Sequence, residues 1–255
     1  MGQRGWALVT GSSHGIGRAL AQRLGADGFD VAVNYRKDKE GAETTAELVR
    51  AAGSQAIIVS ADVGDSREVG AMFDEIAKQT GPLTALINNA GVQTFKSLID
   101  LEESDWDRTI RTNLKGTFLC TQQAARRMRD AGSRGSIVNI GSGSNQTPFP
   151  NLVDYTASKG GIEMLTKVAA VELGRYGIRV NCVAPGAIEN ERTNEEDPTY
   201  AETWANITPL GRVGTMTDVA DAVSLMLSEQ AGFITGQTVF VDGGLWTRGQ
   251  WPYDF

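Results

Sequence analysis

At 255 residues, 41% hydrophobic and 22% charged, the chain is long enough to bury a sizeable core within one α/β domain. The formal net charge of −7 leaves no basic face of the kind that non-specific nucleic-acid binding requires, and no apolar run approaches the length of a membrane span. The start, MGQRGWALVTGSS, lacks the apolar core of a signal peptide, and Cys120 and Cys182 stand apart without metal-ligand spacing. The expectation is therefore a cytoplasmic protein with two reduced, buried thiols and no metal site.

In chain order, 6–10 (WALVT) predicts a strand, followed by the glycine-rich TGSSHGIG and a helix over about 16–27. A strand at 31–35 (VAVNY) precedes a helix over about 40–52. A third strand, 56–61 (AIIVSA), leads to a helix at 66–79 whose Ser/Asp-rich start can cap it. A fourth, 85–88, runs into NNAG and then a long helix from 104 to about 130. A fifth, 136–140, precedes a helix at 155–175, and a sixth, 179–183, ends near Pro185-Gly186. Residues 187–210 break the rhythm. They are acidic and weakly periodic, and they predict a lid or binding loop over the substrate. A helix at 217–228 and a strand at 238–241 close the pattern before an aromatic tail at 245–255. Short, near-continuously apolar strands alternating with helices predict one domain, 1–255. Its fold class is α/β, a doubly wound (Rossmann) parallel sheet of about seven strands with helices on both faces.

Gly11, Gly15 and Gly17 stand between a predicted strand and a predicted helix. A pyrophosphate can meet backbone N–H groups there, and glycine lets it come close. The spacing differs from the usual G-x-G-x-x-G, and alone it also suits a plain turn. Asp62-Val63, Asn88-Asn-Ala-Gly91 and Pro185-Gly186 all fall at strand carboxyl ends, the side where such sheets bind ligands. The small NNAG residues would let a cofactor pass over the sheet edge, and Asp62 would accept from an adenine amino group. Tyr155 and Lys159, at i and i+4, share one helical face. A free phenol ionises near pH 10, and a nearby ammonium stabilises the phenolate, so the pair suits acid/base work. By itself such a pair more often marks a solvated surface. Ser142, at the end of the fifth strand, can hold a substrate oxygen. Asn113 is a mediocre helix former in mid-helix, and it predicts a kink whose carbonyl holds a water near Lys159.

Together TGSSHGIG, NNAG, the Asn of TNLKG, Ser142 with YTASK, and PG resemble the short-chain dehydrogenase/reductase family across 6–244. The resemblance implies a nicotinamide cofactor and hydride transfer between an alcohol and a carbonyl. It implies that Tyr155 is the general acid/base and that Ser142 orients the carbonyl. It implies that Lys159 holds the ribose and supports Tyr155, and that Asn113 anchors a relay water. Cofactor contacts then fall on Gly11, Ser13, His14, Gly15, Ile16, Gly17, Arg36, Asp62, Val63, Asn89, Ala90, Gly91, Tyr155, Lys159, Pro185, Gly186 and Ile188. After the second strand the chain reads NYRK, with no carboxylate for a ribose and with Arg36 suited to a 2′-phosphate, so NADP(H) is expected over NAD(H). The resemblance places His14, the only histidine, beside that phosphate as a helper of Arg36.

For substrate, Ser144, Asn145 and Gln146 offer hydrogen bonds to hydroxyls beside Ser142 and Tyr155. The Pro-aromatic-Pro at 148–150, the NYR stretch and the long tail resemble glucose 1-dehydrogenase-like members, which implies a sugar or polyol. The alternative is a 3-oxoacyl carrier-protein reductase or a general ketoreductase. Its acidic carrier would need a basic rim, for which Arg126, Arg127, Arg129 and Arg134 are candidates, whereas Glu189, Glu191, Glu195, Glu196 and Asp197 would repel it. A non-catalytic regulator or scaffold is the remote reading, disfavoured because Asn113, Ser142, Tyr155 and Lys159 are all present. Family members are mostly tetramers, joined through two long helices and the last strand region. Gly160-Gly161 and Ala169-Ala170 would permit close packing there. The tail aromatics Trp246, Trp251, Tyr253 and Phe255 would pack across an interface or close a neighbour's pocket.

Overall fold

The computed structural model describes residues 4–81 and 83–247; Trp251, Tyr253 and Phe255 lie outside the described residues. Seven parallel strands form one sheet in the order β3-β2-β1-β4-β5-β6-β7. They are β1 Trp6–Val9, β2 Asp30–Tyr35, β3 Ala56–Ser60, β4 Leu83–Asn88, β5 Gly135–Ile140, β6 Ile178–Pro185 and β7 Thr238–Val241. The connecting helices are α1 Gly15–Ala26, α2 Lys39–Ala51, α3 Ser66–Gln79, α4 Glu103–Thr109, α5 Gly116–Asp130, α6 Val153–Leu173, α7 Glu191–Glu196, α8 Tyr200–Ala205 and α9 Met216–Leu227. The chain builds outward from β1 to β3, then returns to β4 on the other side of β1. That reversal opens a crevice above the carboxyl ends of β1 and β4.

The apolar strands read continuously because both faces are covered. Val9, Val31, Ile87 and Val138 pack under α1, α2 and α9 through Leu20, Leu24, Val49 and Val223. Their neighbours Leu8, Leu86, Ile137 and Val180 face the other way, onto Phe73, Ile76, Cys120 and Met128 of α3 and α5. Each such large side chain, fully buried, contributes about 2–3 kcal/mol. Both cysteines are free and buried, and burial pushes the Cys120 thiol up to about 12. Among the described residues no helix is long and apolar enough to cross a membrane.

Two expectations change. The helix expected from 104 to 130 is α4 and α5, joined through a π-helical turn at Ile110–Lys115 that contains Asn113. Residues 187–210 are not irregular throughout, because α7 and α8 form there. Asn190 and Thr193 make a reciprocal capping box that starts α7. Some small residues of α6 also pack within their own chain. A Cβ on Gly161 would lie 2.8 Å from Leu114 Cδ2, so this glycine seats α6 on the π-helical turn of its own chain. Ala169 and Ala170 are buried in the chain's own core. The exposed apolar side chains of α6 are instead Met164, Val168 and Val171.

Helix α9 starts with a capping box in which Thr215 accepts from Asp218 N and Asp218 accepts from Thr215 N, with Arg212 forked onto both Asp218 oxygens. The Arg212 hydrogen bond leads the causes that hold the Asp218 carboxyl well below its ordinary 3.8, burial opposing it and the Thr215 bonds and the Arg212 charge assisting. A depressed acid contributes stability above its unfolded pKa and loses it as pH falls through its lower folded value. Replacing Asp218 by Ala should cost about 2 kcal/mol in urea unfolding at pH 7. The gap from the native protein should narrow below about pH 4.

Candidate active site

The crevice holds a cleft of about 660 Å³ bounded by the ends of β1, β2, β4, β5 and β6. Its floor is stitched by side chains. Thr10 Oγ1 accepts from the N–H groups of Asn89 and Ala90, at 3.0 and 3.1 Å. Asn89 Nδ2 donates back to the carbonyls of Thr10 and Gly11, and Gly11 N donates to Asn34 Oδ1 at 3.1 Å. The glycine loop is thus pinned between the loop after β4 and the end of β2. A Cβ at Gly17 would fall 2.3 Å from the Gly11 carbonyl, so only glycine lets α1 start this close. The first turn of α1 carries no acidic side chain, and its N-cap, His14, makes no side-chain cap bond. Those N–H groups suit a phosphate oxygen, so the loop fits a dinucleotide pyrophosphate.

Opposite the loop, α6 presents Tyr155 and Lys159. Lys159 is buried; its Nζ donates to the Ile140 carbonyl at 2.7 Å and lies 5.4 Å from the centre of the Tyr155 ring. One turn away, Ser158 Oγ accepts from Asn113 Nδ2 at 3.0 Å. The same Nδ2 donates to Val92 O, and Asn113 Oδ1 accepts from Val92 N, both at 2.8 Å. Both ends of the Asn113 amide are therefore committed to clamping the backbone at Val92, a residue that lines the cleft. The Asn113 side chain thus holds protein, and its main-chain carbonyl, in the π-helical turn, accepts from Thr117 Oγ1 at 2.7 Å and keeps a second lone pair. Ser142, just past β5, accepts from Ser144 N at 3.1 Å, which fixes its hydroxyl at the start of a short 3₁₀ turn.

A family model described as enoyl-(acyl carrier protein) reductase matches residues 11–246. The chain is 42% identical over 240 residues to a 3-oxoacyl-(acyl-carrier-protein) reductase of Staphylococcus aureus, covering 94% of this chain and 97% of that one. It is 37% identical over 243 residues to glucose 1-dehydrogenase 2 of Bacillus subtilis, covering 94% and 93%. The chain belongs to the short-chain dehydrogenase/reductase family. It is similar in structure to a gluconate 5-dehydrogenase from Burkholderia cenocepacia solved in complex with NADP and tartrate, with a TM-score of 0.90, 36% identity and 97% of each chain covered. As a member of this family it is an oxidoreductase of alcohol and carbonyl groups.

Of the residues singled out from the sequence, Gly11, Ser13, His14, Gly15, Ile16, Gly17, Arg36, Asp62, Val63, Asn89, Ala90, Gly91, Ser142, Ser144, Tyr155, Lys159, Pro185, Gly186 and Ile188 all line this short-chain dehydrogenase cleft. Asn113, Asn145 and Gln146 do not. Asn145 turns its amide onto Ser142 N and the Cys182 thiol, and Gln146 points to Glu163. Neither is placed to meet a substrate hydroxyl, because each completes a bond within the protein. Asp62 already has partners within the protein. One oxygen takes Gly64 N, and the other takes Arg111 at 2.7 Å with Arg36 at 3.9 Å. Burial alone would raise its pKa, but the Gly64 bond and the two guanidiniums outweigh that and hold the carboxyl below its ordinary 3.8.

The structure adds wall residues that the sequence did not single out: Asp38, Val92 and Gln93, and the aromatic Tyr200 and Trp204; Asn34 of the NYR stretch and Phe149 of the Pro-aromatic-Pro stretch join them. Asp38 was hidden by its place beyond the strand end, where it caps α2 by accepting from Gly41 N. Trp246 lines its own chain's cleft. Substituting Asn113 by Ala should cost about 3 kcal/mol in urea unfolding, because Val92 and Ser158 lose buried partners together. The Val92 amide proton should also exchange markedly faster.

Proposed function

We propose that this enzyme transfers hydride between NADP(H) and a small free hydroxyl compound, a sugar or polyol, with Tyr155 exchanging the proton. The observation that carries the reading is Lys159, buried between the Ile140 carbonyl and the Tyr155 ring, in one cleft with Ser142 and the glycine loop. The cofactor, when bound, supplies or accepts the hydride, and the protein supplies geometry and charge. Ser142 Oγ donates to the substrate oxygen and holds it. Tyr155 Oη gives that oxygen a proton during reduction and takes it back during oxidation. The Lys159 ammonium stabilises the anion left on the phenol. Asn113 acts at one remove, as a positioning residue that keeps Val92 and Ser158 in place.

Arg36 supports NADP(H) over NAD(H). It is half-exposed at the cleft wall, and its 3.9 Å approach to Asp62 is loose because Arg111 already occupies that oxygen. A guanidinium so placed can fork onto a 2′-phosphate. Asp38, the carboxylate on this wall, spends one oxygen capping α2 and is a poorer ribose acceptor for it. His14 sits exposed on the same loop.

A second reading, reduction of carrier-bound 3-oxoacyl thioesters, is favoured by the 42% identity to such reductases. Within one chain the basic cluster does not support it. Helix α5 descends to Asp130 and β5 begins at Gly135, so Arg126, Arg127, Arg129 and Arg134 lie at the sheet edge opposite the cleft. Arg127 pairs with Asp74, and Arg129 with Asp130. The acidic run is also weaker evidence than its charge suggests. Glu191, Glu195 and Glu196 are exposed on α7, whereas Asn190 and Thr193 line the cleft.

Assays of aldoses, polyols and acyl thioesters with both cofactors separate the readings, and turnover of thioesters alone would overturn the first. Tyr155→Phe should lower kcat by about a thousandfold while the Kd for NADPH, read from its fluorescence, stays unchanged. Arg36→Ala should raise the KM for NADP⁺ by about tenfold or more and leave that for NAD⁺ nearly as it was.

A further inference from the structure

Three aromatic side chains from distant stretches meet at the substrate end of the cleft. Trp246, just past β7, is their hub. Its ring centre lies 4.9 Å from that of Phe149 at 66°, and 6.3 Å from that of Trp204 at 77°. Both arrangements are edge-on, as aromatic quadrupoles prefer. One carboxylate sets the turn that presents the indole. Asp242 Oδ1 accepts from Gly244 N at 2.9 Å and Oδ2 accepts from Trp246 N at 3.0 Å. Trp204 belongs to α8, which docks on the body through the small cluster of Ala187, Val213 and Leu245, separate from the two sheet cores.

The indole lies against Gly143, the residue after Ser142. A Cβ on Gly143 would fall 2.0 Å from Trp246 Nε1 and 2.4 Å from Cε2. The ring thus fills the space that any side chain at 143 would take. Its Nε1–H is buried and finds no hydrogen-bond partner among the described residues. A buried indole N–H normally finds an acceptor, so this ring is seated by shape and not by a polar bond.

We propose that Trp246 is the end wall of the substrate pocket and its determinant of substrate length. This rests on the reading above, in which Ser142 and Tyr155 hold the reacting oxygen. Gly143, Phe149 and the Trp246 indole line the same cleft as Ser142 and Tyr155. The enzyme takes compact hydroxyl compounds and rejects an extended chain in that direction. Gly143 and Trp246 act as one device: the glycine admits the ring, and the ring closes the pocket.

The test uses straight-chain 1,2-diols from propanediol to octanediol with NADP⁺ and the intact enzyme. The native enzyme should favour the short members. Trp246→Ala should raise kcat/KM for octanediol relative to propanediol by about tenfold or more, since each methylene admitted to an apolar pocket carries a large factor. Trp246→Phe should fall between the two, and it keeps the test open if the alanine variant folds poorly. Gly143→Ala should shift the same ratio in the native background and leave it unmoved in the Trp246→Ala background. An unchanged length profile in both Trp246 variants, with an unchanged Kd for NADPH, overturns the end wall while the proposed reaction stands. So does an equal shift from Gly143→Ala in both backgrounds. A native enzyme that turns over acyl thioesters and no diol or sugar overturns the substrate reading, and the end wall falls with it.

Discussion

The bond from Lys159 Nζ to the Ile140 carbonyl is the constraint on which the rest of the site depends. A buried ammonium is costly unless its donors are used. Here one donor ties α6 to the last residue of β5, immediately before Gly141 and Ser142. The helix that carries Tyr155 and the strand end that carries Ser142 are thereby held at one spacing. From α6 the connection continues through Ser158 to Asn113, and from Asn113 to both backbone groups of Val92. The π-helical turn has its reason in this chain. An α-helix that ran unbroken from 104 to 130 would place residue 113 one step differently around its axis. The wider turn at Ile110–Lys115 accompanies the Asn113 amide's contact with both α6 and the loop after β4.

A second set of polar bonds holds the sheet under the cleft. Asn88 donates to Asn139 at 2.8 Å and to Thr121 at 3.0 Å, and Asn139 donates to Thr166 at 2.9 Å. These groups are buried and join β4 and β5 to α5 and α6. With Thr10, Asn89 and Asn34 they make the carboxyl edge of the sheet a rigid platform. The α7–α8 segment attaches differently, through a few aromatic and small apolar side chains apart from the two sheet cores.

Much of this was legible in the chain. Each of the seven strands was marked by a short apolar run, and their boundaries moved by only a few residues. Glycines at 11, 15 and 17, the Tyr155/Lys159 pair and Ser142 carried local signals: a loop between strand and helix, an i,i+4 spacing, a polar residue ending a strand. Asn145 and Gln146 were misjudged because polarity near a site says nothing of direction, and both amides turn into the protein. Asp62 kept its place on the wall, yet the guanidinium that occupies it, Arg111, comes from the π-helical turn 49 residues on. Asn34 gave no signal of its role, a bond to a loop more than twenty residues earlier.

By itself, the sequence determined the alternation of strands and helices and most of the residues that line the cleft at the carboxyl ends of the strands. Those follow from periodicity, turn composition and side-chain type, which are local properties. Tertiary structure alone decided which polar groups were already spent, where α7 and α8 lie, and that Trp246 returns to its own cleft. Those depend on contacts between residues as far apart as Gly143 and Trp246. There the space left by one missing side chain is filled by another, and no local pattern records such a match.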